Sequence, residues 1–261
     1  MFLRSLGVFL SAILIALATF SPAISGSATS ATARNEPHFE TWAGGDGGAD
    51  GVSVYGGMVA ALFGDVRRDG WRLRADGGWG IYGLSHAPHK LFAKGLRDVT
   101  FRGWTGYADI LLGYQKAWGP LIVKAYAGWT EERGVIRDTD MDDAGLGLAS
   151  GTEKLGSGGF KGVIETWLAL DEWGFLQTDL SWSEPQSRFS GRTRLGYRLN
   201  RSWSVGPEAA LYGDADYASG RVGGFVRLEG ALGEVSVSAG LAGDREGADG
   251  GYGSISALMR F

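Results

Sequence analysis

The chain has no cysteine and only three histidines among 261 residues. Without thiols there is neither a disulfide framework nor a thiolate metal site. Runs of Lys or Arg are missing too, and the formal charge is only −4. A nucleic-acid partner is therefore not expected. Proline is sparse, at six residues. Long apolar runs are confined to the first twenty residues, where Leu6 to Phe20 is interrupted only by Ser11 and Thr19. That run, about 15 residues, is shorter than the roughly 20 a membrane-spanning helix needs. With Arg4 before it and small residues after it, it reads as an export signal cut near Ser25 or Ala33. The expected division is therefore a signal peptide over 1–33 and a single domain over 34–261. No later stretch could cross a bilayer as a helix.

Glycine, by contrast, is abundant: 45 residues, alongside 12% aromatics that include ten Trp. Each glycine inside a helix costs roughly 1 kcal/mol relative to alanine, so an all-β chain is the economical reading. After about residue 36 the sequence resolves into two-faced segments of period two. Around residue 190, Arg188, Ser190, Arg192, Arg194, Arg198 and Asn200 share one face, against Phe189, Thr193, Leu195, Tyr197 and Leu199. Trp71, Leu73, Ala75, Trp79 and Ile81 oppose Arg72, Arg74 and Asp76. Leu176, Leu180 and Trp182 oppose Gln177, Asp179 and Ser181, while Val222, Val226, Leu228 and Leu232 oppose Arg221, Arg227 and Glu229. The last segment ends at Phe261, with Ile255, Ala257 and Met259 on its face and Ser254, Ser256 and Arg260 on the other.

About twelve strands follow from this patterning: 36–44, 51–64, 69–83, 101–116, 120–133, 157–171, 174–184, 188–199, 203–213, 219–232, 234–243 and 251–261. Tight connections are expected near Asp65–Arg68, Ala117–Gly119, Glu172–Trp173, Asn200–Ser202 and Gly233. Longer ones are expected over Leu84–Thr100 and Gly134–Gly156. Such alternation belongs to outer-membrane β-barrels, with short periplasmic turns and longer external loops. A soluble sandwich or lipocalin-like barrel would bury one apolar core. Here the polar faces also carry Asp109, Lys124, Lys161, Glu165 and Glu208, and the apolar faces carry Trp71, Trp79, Trp104, Trp129, Trp182 and Trp203. Charge toward a lumen and tryptophan toward lipid accounts for both. The fold expected is an antiparallel up-and-down transmembrane barrel, closed where Phe261 pairs back to the strand near Phe39–Gly44.

Its interior is the candidate site. Arg72, Arg74, Asp109, Lys124, Glu165, Asp179, Arg192, Arg194, Arg198, Glu208, Arg227 and Glu229 are placed there by alternation. In a meander Arg192, Arg194 and Arg198 lie beside Glu208, and Pro207 before it implies a bulge or bend. These charges either brace a narrow barrel or line a water path in which guanidinium groups meet sugar hydroxyls and rings stack on pyranose faces. Other chemistry is thinly supported. His86-Ala87-Pro88-His89 lacks a third ligand for a metal and a marked serine for a lipid-modifying enzyme. Asp138-Thr139-Asp140-Met141-Asp142-Asp143 alternates acids like a Ca²⁺ loop, but Asp143 stands where glycine is required and Ala149 where glutamate is required.

Several short runs carry a family resemblance. Arg194-Leu195-Gly196-Tyr197-Arg198, Ser204-Val205-Gly206-Pro207-Glu208 and Arg221-Val222-Gly223-Gly224-Phe225-Val226-Arg227 resemble the C-terminal half of the BcsS cellulose biosynthesis proteins of alphaproteobacteria. Asp69-Gly70-Trp71-Arg72-Leu73-Arg74, Leu112-Gly113-Tyr114-Gln115, Lys124-Ala125-Tyr126-Ala127-Gly128 and Lys161-Gly162-Val163-Ile164-Glu165-Thr166-Trp167 are similar to the same family. The resemblance spans roughly Phe39 to Phe261 and is weakest around Asp138–Gly151. It implies a non-enzymatic outer-membrane accessory of cellulose or exopolysaccharide synthesis, acting as export channel or anchoring site. No catalytic residue, metal or cofactor comes with it. Outer-membrane lipids, a cellulose or glucan chain and synthase components are the partners implied. A general small-solute porin is the alternative, and a lipid-modifying enzyme using His86 or His89 is third.

Overall fold

A computed structural model describes residues 37–48, 51–86, 99–141, 147–215, 218–244 and 250–261; the proposed signal segment and His89 lie outside them. Twelve strands run in chain order: β1 (Phe39–Gly47), β2 (Gly51–Ala61), β3 (Gly70–His86), β4 (Val99–Trp118), β5 (Leu121–Met141) and β6 (Gly147–Ala169). They continue with β7 (Gly174–Ser183), β8 (Arg188–Arg198), β9 (Trp203–Gly213), β10 (Ala218–Gly230), β11 (Gly233–Asp244) and β12 (Gly250–Arg260). Each pairs antiparallel with its neighbours in sequence, and β12 pairs with β1 to close the barrel. At the seam Glu40 faces Arg260 and Gly47 faces Gly253. The Phe261 N–H donates to Phe39 O (2.9 Å), and the Phe39 and Phe261 rings stack at 5.2 Å.

Alternation decides which side chains face lipid. Trp71, Leu73, Ile110, Leu112, Leu180, Leu195, Val226 and Val237 are exposed on the outside, while Arg72, Asp109, Arg194, Glu208 and Arg227 are buried within. An apolar exterior is tolerable only where hydrocarbon replaces water, and a closed barrel leaves no unpaired edge there. Exposed aromatics gird both ends, with Trp71, Trp118, Trp173 and Trp203 at one and Trp79, Trp104, Trp129 and Trp182 at the other. The protein is an outer-membrane barrel. The start of β1 and the end of β12 share one end with the connections 62–69, 119–120, 170–173, 199–202 and 231–232, called here the turn end. The opposite, loop end carries the others.

Three details depart from the sequence expectation. The stretch 134–156 is mostly strand, because β5 and β6 run to 21 and 23 residues. A bilayer needs only about 9–11 tilted residues per strand, so this wall rises well past the lipid. The outward Glu131–Arg133 ion pair marks where it leaves. Pro207 makes no bulge. The β8–β9 register is unchanged on either side of it, although Leu195 and Gly196 have no ladder partner. A proline without an N–H interrupts the ladder and need not insert a residue. Third, β2 stops at Ala61 instead of 64, so the expected tight turn at Asp65–Arg68, closed by the Arg68 N–H to Asp65 O (3.1 Å), sits inside a longer connection over 62–69.

Candidate functional site

Glycine and aromatic residues are paired across the strands of the lumen wall. Trp42 faces Gly57, Tyr55 faces Gly44, Tyr107 faces Gly78, Tyr126 faces Gly113, Phe175 faces Gly196 and Tyr252 faces Gly240. A β-carbon built on any of these glycines would fall within 2.9 Å of its ring. The rings therefore lie flat on the wall in space that only glycine leaves. Cations cover the other face of most of them. Arg74 lies over Trp42 and Tyr126, Lys161 over Tyr107, Arg198 and Arg227 over Phe175, and Arg221 over Tyr252. Glycine, ring and cation form a sandwich repeated around the interior. Cation–π contacts strengthen when desolvated.

The cations are held by carboxylates on their own strand, on the neighbouring strand or farther round the barrel. Lys124 Nζ on β5 donates to Glu40 Oε2 on β1 at 3.3 Å, and Arg260 Nε donates to Glu40 Oε1 at 2.9 Å. Arg74 on β3 bonds Asp76 at 2.6 Å and reaches Glu165 on β6. Lys161 bonds Asp109. Across the barrel, Arg194 bonds Glu208 and donates to Ser238 Oγ (2.9 Å), while Tyr252 Oη donates to Glu208 Oε1 at 3.1 Å. Arg227 pairs with Glu229 at 2.7 Å and lies 4.7 Å from the Trp167 ring, which stacks on Phe175 at 4.3 Å. The Glu40–Lys124 and Trp167–Arg227 contacts each join strands four places apart, so they cross the lumen as chords.

The turn end is occupied by the chain itself. Val66, in the β2–β3 connection, is buried with Val59, Leu111, Tyr126 and Val163 inside the barrel. Its N–H donates to Pro37 O (2.7 Å). Arg72, wholly buried, donates through Nη2 to the carbonyls of Val66 (3.1 Å), Asp65 and Arg68, and Gln115 Nε2 also donates to Arg68 O (3.2 Å). One guanidinium thus gathers three carbonyls of a turn that faces the lumen. Arg67 chelates Asp65 at 2.7 Å and holds its carboxyl below the usual carboxylate range. Asp69 is lowered likewise by hydrogen bonds from Lys116 and the Ala117 N–H.

The charged residues singled out by alternation fall into separate groups. Arg194 sits directly opposite Glu208, but Arg192 turns to Asp179 on β7 at 2.7 Å. Arg198 turns to Glu172 O (3.3 Å) and the face of Phe175. Arg72 serves the turn and touches no carboxylate of the group. Sequence reasoning missed the inward apolar residues Trp42, Leu111, Val163, Trp167 and Phe225, and the plugging role of Val66. The signal for the first was the placing of Trp42 and Trp167 on the same parity as Glu40 and Glu165. No cluster of three or more His, Asp or Glu side chains fit for a metal occurs among the described residues. His86 ends β3, and part of the acidic run, Asp142–Asp143, lies outside the described residues.

Solved barrels resemble this chain at low identity. The KdgM porin in complex with disordered oligogalacturonate is 8% identical with a TM-score of 0.45, over 85% of this chain and 99% of that one. The transport unit of the autotransporter AIDA-I from Escherichia coli is 10% identical with a TM-score of 0.47, over 98% and 97%. Omp33 of Acinetobacter baumannii is 13% identical with a TM-score of 0.40, over 87% and 99%. None of these bears on function. No curated protein matches the sequence. The family model described as cellulose biosynthesis protein BcsS matches residues 41–261.

Proposed function

This chain belongs to the cellulose biosynthesis protein BcsS family, and we propose that it acts as a closed outer-membrane anchor for cellulose or exopolysaccharide production. In this role it is neither an enzyme nor an open export pore. One observation carries the choice: the β2–β3 connection seats Val66 inside the barrel, pinned by Arg72. The chords Glu40–Lys124 and Trp167–Arg227 add to it. A glucan passing from the periplasm would have to unseat an apolar plug and break desolvated ion pairs, each uncompensated on rupture. Partners would be lipids around the wall, the polysaccharide, and synthase components reached from the turn end.

A channel has the aromatic and guanidinium lining in its favour, but needs the turn 62–69 to leave. Two measurements separate the alternatives. In planar bilayers the purified barrel is expected to show no steady conductance; large currents would overturn the anchor. In cells, deletion of the gene is expected to leave synthase activity intact while cellulose staining at the surface falls and polymer appears in the medium. Polymer retained in the periplasm would instead indicate export.

A further inference from the structure

Among the rings lying on glycine, Tyr55 differs. One face rests on Gly44, and no cation or second ring of the described residues covers the other. Tyr55 is four residues from the loop-end start of β2, so this open face lies in the upper lumen, away from the plug. The wall beside it is polar and small. Asp46 on β1 is flanked in register by Ser53 on β2 and Ser254 on β12, all of inward parity. Asp46 accepts from Arg221 Nη1 at 3.2 Å, and Arg192, paired with Asp179, is within electrostatic reach of the Tyr55 hydroxyl. Arg221 Nε is buried with no hydrogen-bond partner among the described residues.

The chemistry of this vestibule selects a ligand class. Each cation has its own carboxylate, Arg221 with Asp46 and Arg192 with Asp179. The described charges beside Tyr55 therefore balance, with no surplus there to attract an anion or a metal ion. What remains is one flat apolar ring and a ring of hydroxyl, carboxylate and guanidinium groups. A neutral polyol with an apolar face matches both: a pyranose lays its C–H face on an aromatic ring and turns its hydroxyls to planar polar partners. We propose that the loop-end vestibule around Tyr55 is a binding site for a neutral, β-linked glucan segment. Tyr55 is its stacking platform, and Asp46, Ser53 and Ser254 are the hydroxyl partners. The choice of glucan rests on the anchoring function proposed above; in that function this is the point where the polymer is held.

The test is calorimetric titration of the full-length barrel in detergent with cellohexaose, with maltohexaose as the control. Folding of every variant is verified by heat-modifiable gel migration. Tyr55→Ala is expected to weaken cellohexaose binding at least tenfold, and Tyr55→Phe, which keeps the ring, to bind within about twofold of the unaltered protein. Tyr107→Ala, which removes a ring already covered by Lys161, is expected to change nothing. No binding by the unaltered protein, or equal binding by Tyr55→Ala, overturns the site. Equal affinity for the two sugars overturns the β-linked assignment. These outcomes are independent of bilayer conductance. A silent barrel that ignores cellohexaose refutes the vestibule and leaves the anchor; a conducting barrel that binds through Tyr55 does the reverse.

Discussion

At the scale of single residues, the interior is a set of buried charges tied into small ion-pair and hydrogen-bond groups, and its stability should respond accordingly. Arg194 and Glu208 have side chains about 5% and 4% exposed. Arg194→Ala leaves the Glu208 carboxylate inside without its cation, although Tyr252 and Ser238 still donate to it. Removing one member of a buried pair costs about 3–5 kcal/mol, whereas replacing both by apolar groups of similar volume is close to neutral. Urea unfolding in detergent should therefore show a large loss for Arg194→Ala and a much smaller one for Arg194→Met combined with Glu208→Leu. A second residue-scale expectation concerns Gly196, where a β-carbon would come within 2.0 Å of the Phe175 ring. Gly196→Ala should cost about 1–3 kcal/mol by overpacking. Gly156→Ala, with nothing within 4 Å, should be silent in the same assay.

Elements show where sequence was legible and where it was not. Strand periodicity located all twelve strands, because in a barrel each residue's environment follows its parity. It failed where parity does not govern. The β2–β3 connection has the turn-like run Asp65-Val66-Arg67-Arg68-Asp69, yet folds inward because Val66 finds apolar company and Arg72 supplies donors from the next strand. Those are tertiary facts with no local signature. The pairing of rings with glycines on the facing strand was equally hidden, since it needs the register. The turn carries a pH prediction. Asp65 has its carboxyl lowered, so its contribution is present above the ordinary carboxylate range and is lost only as pH falls through the lower folded-state value. Hydrogen exchange of the Val66 amide should stay slow from neutrality down to about pH 4 and quicken below that. Arg72→Gln should make it fast at every pH. Exchange that quickens near pH 6 would show that some other group seats the plug.

The whole molecule turns a soluble protein's arrangement inside out, and that inversion is testable at one position. Ile110 is 67% exposed on the outer face of β4, between the girdle residues Trp104 and Tyr114. In a water-soluble protein a lysine there would change stability by less than about 0.5 kcal/mol. At the midplane of a bilayer the same lysine costs about 2–4 kcal/mol, and the penalty shrinks toward the interfaces. Ile110→Lys should therefore lower the urea midpoint of the barrel folded in lipid vesicles. Trp104→Lys, at the loop-end girdle, should lower it less. The inward neighbour Asp109 is bonded to Lys161, so Asp109→Leu should also destabilise the barrel, although it adds an apolar side chain to an interior. Polar substitution harming the outside while apolar substitution harms the inside requires lipid around a charged lumen. If Ile110→Lys were neutral in vesicles, the assignment of this face to lipid would fall.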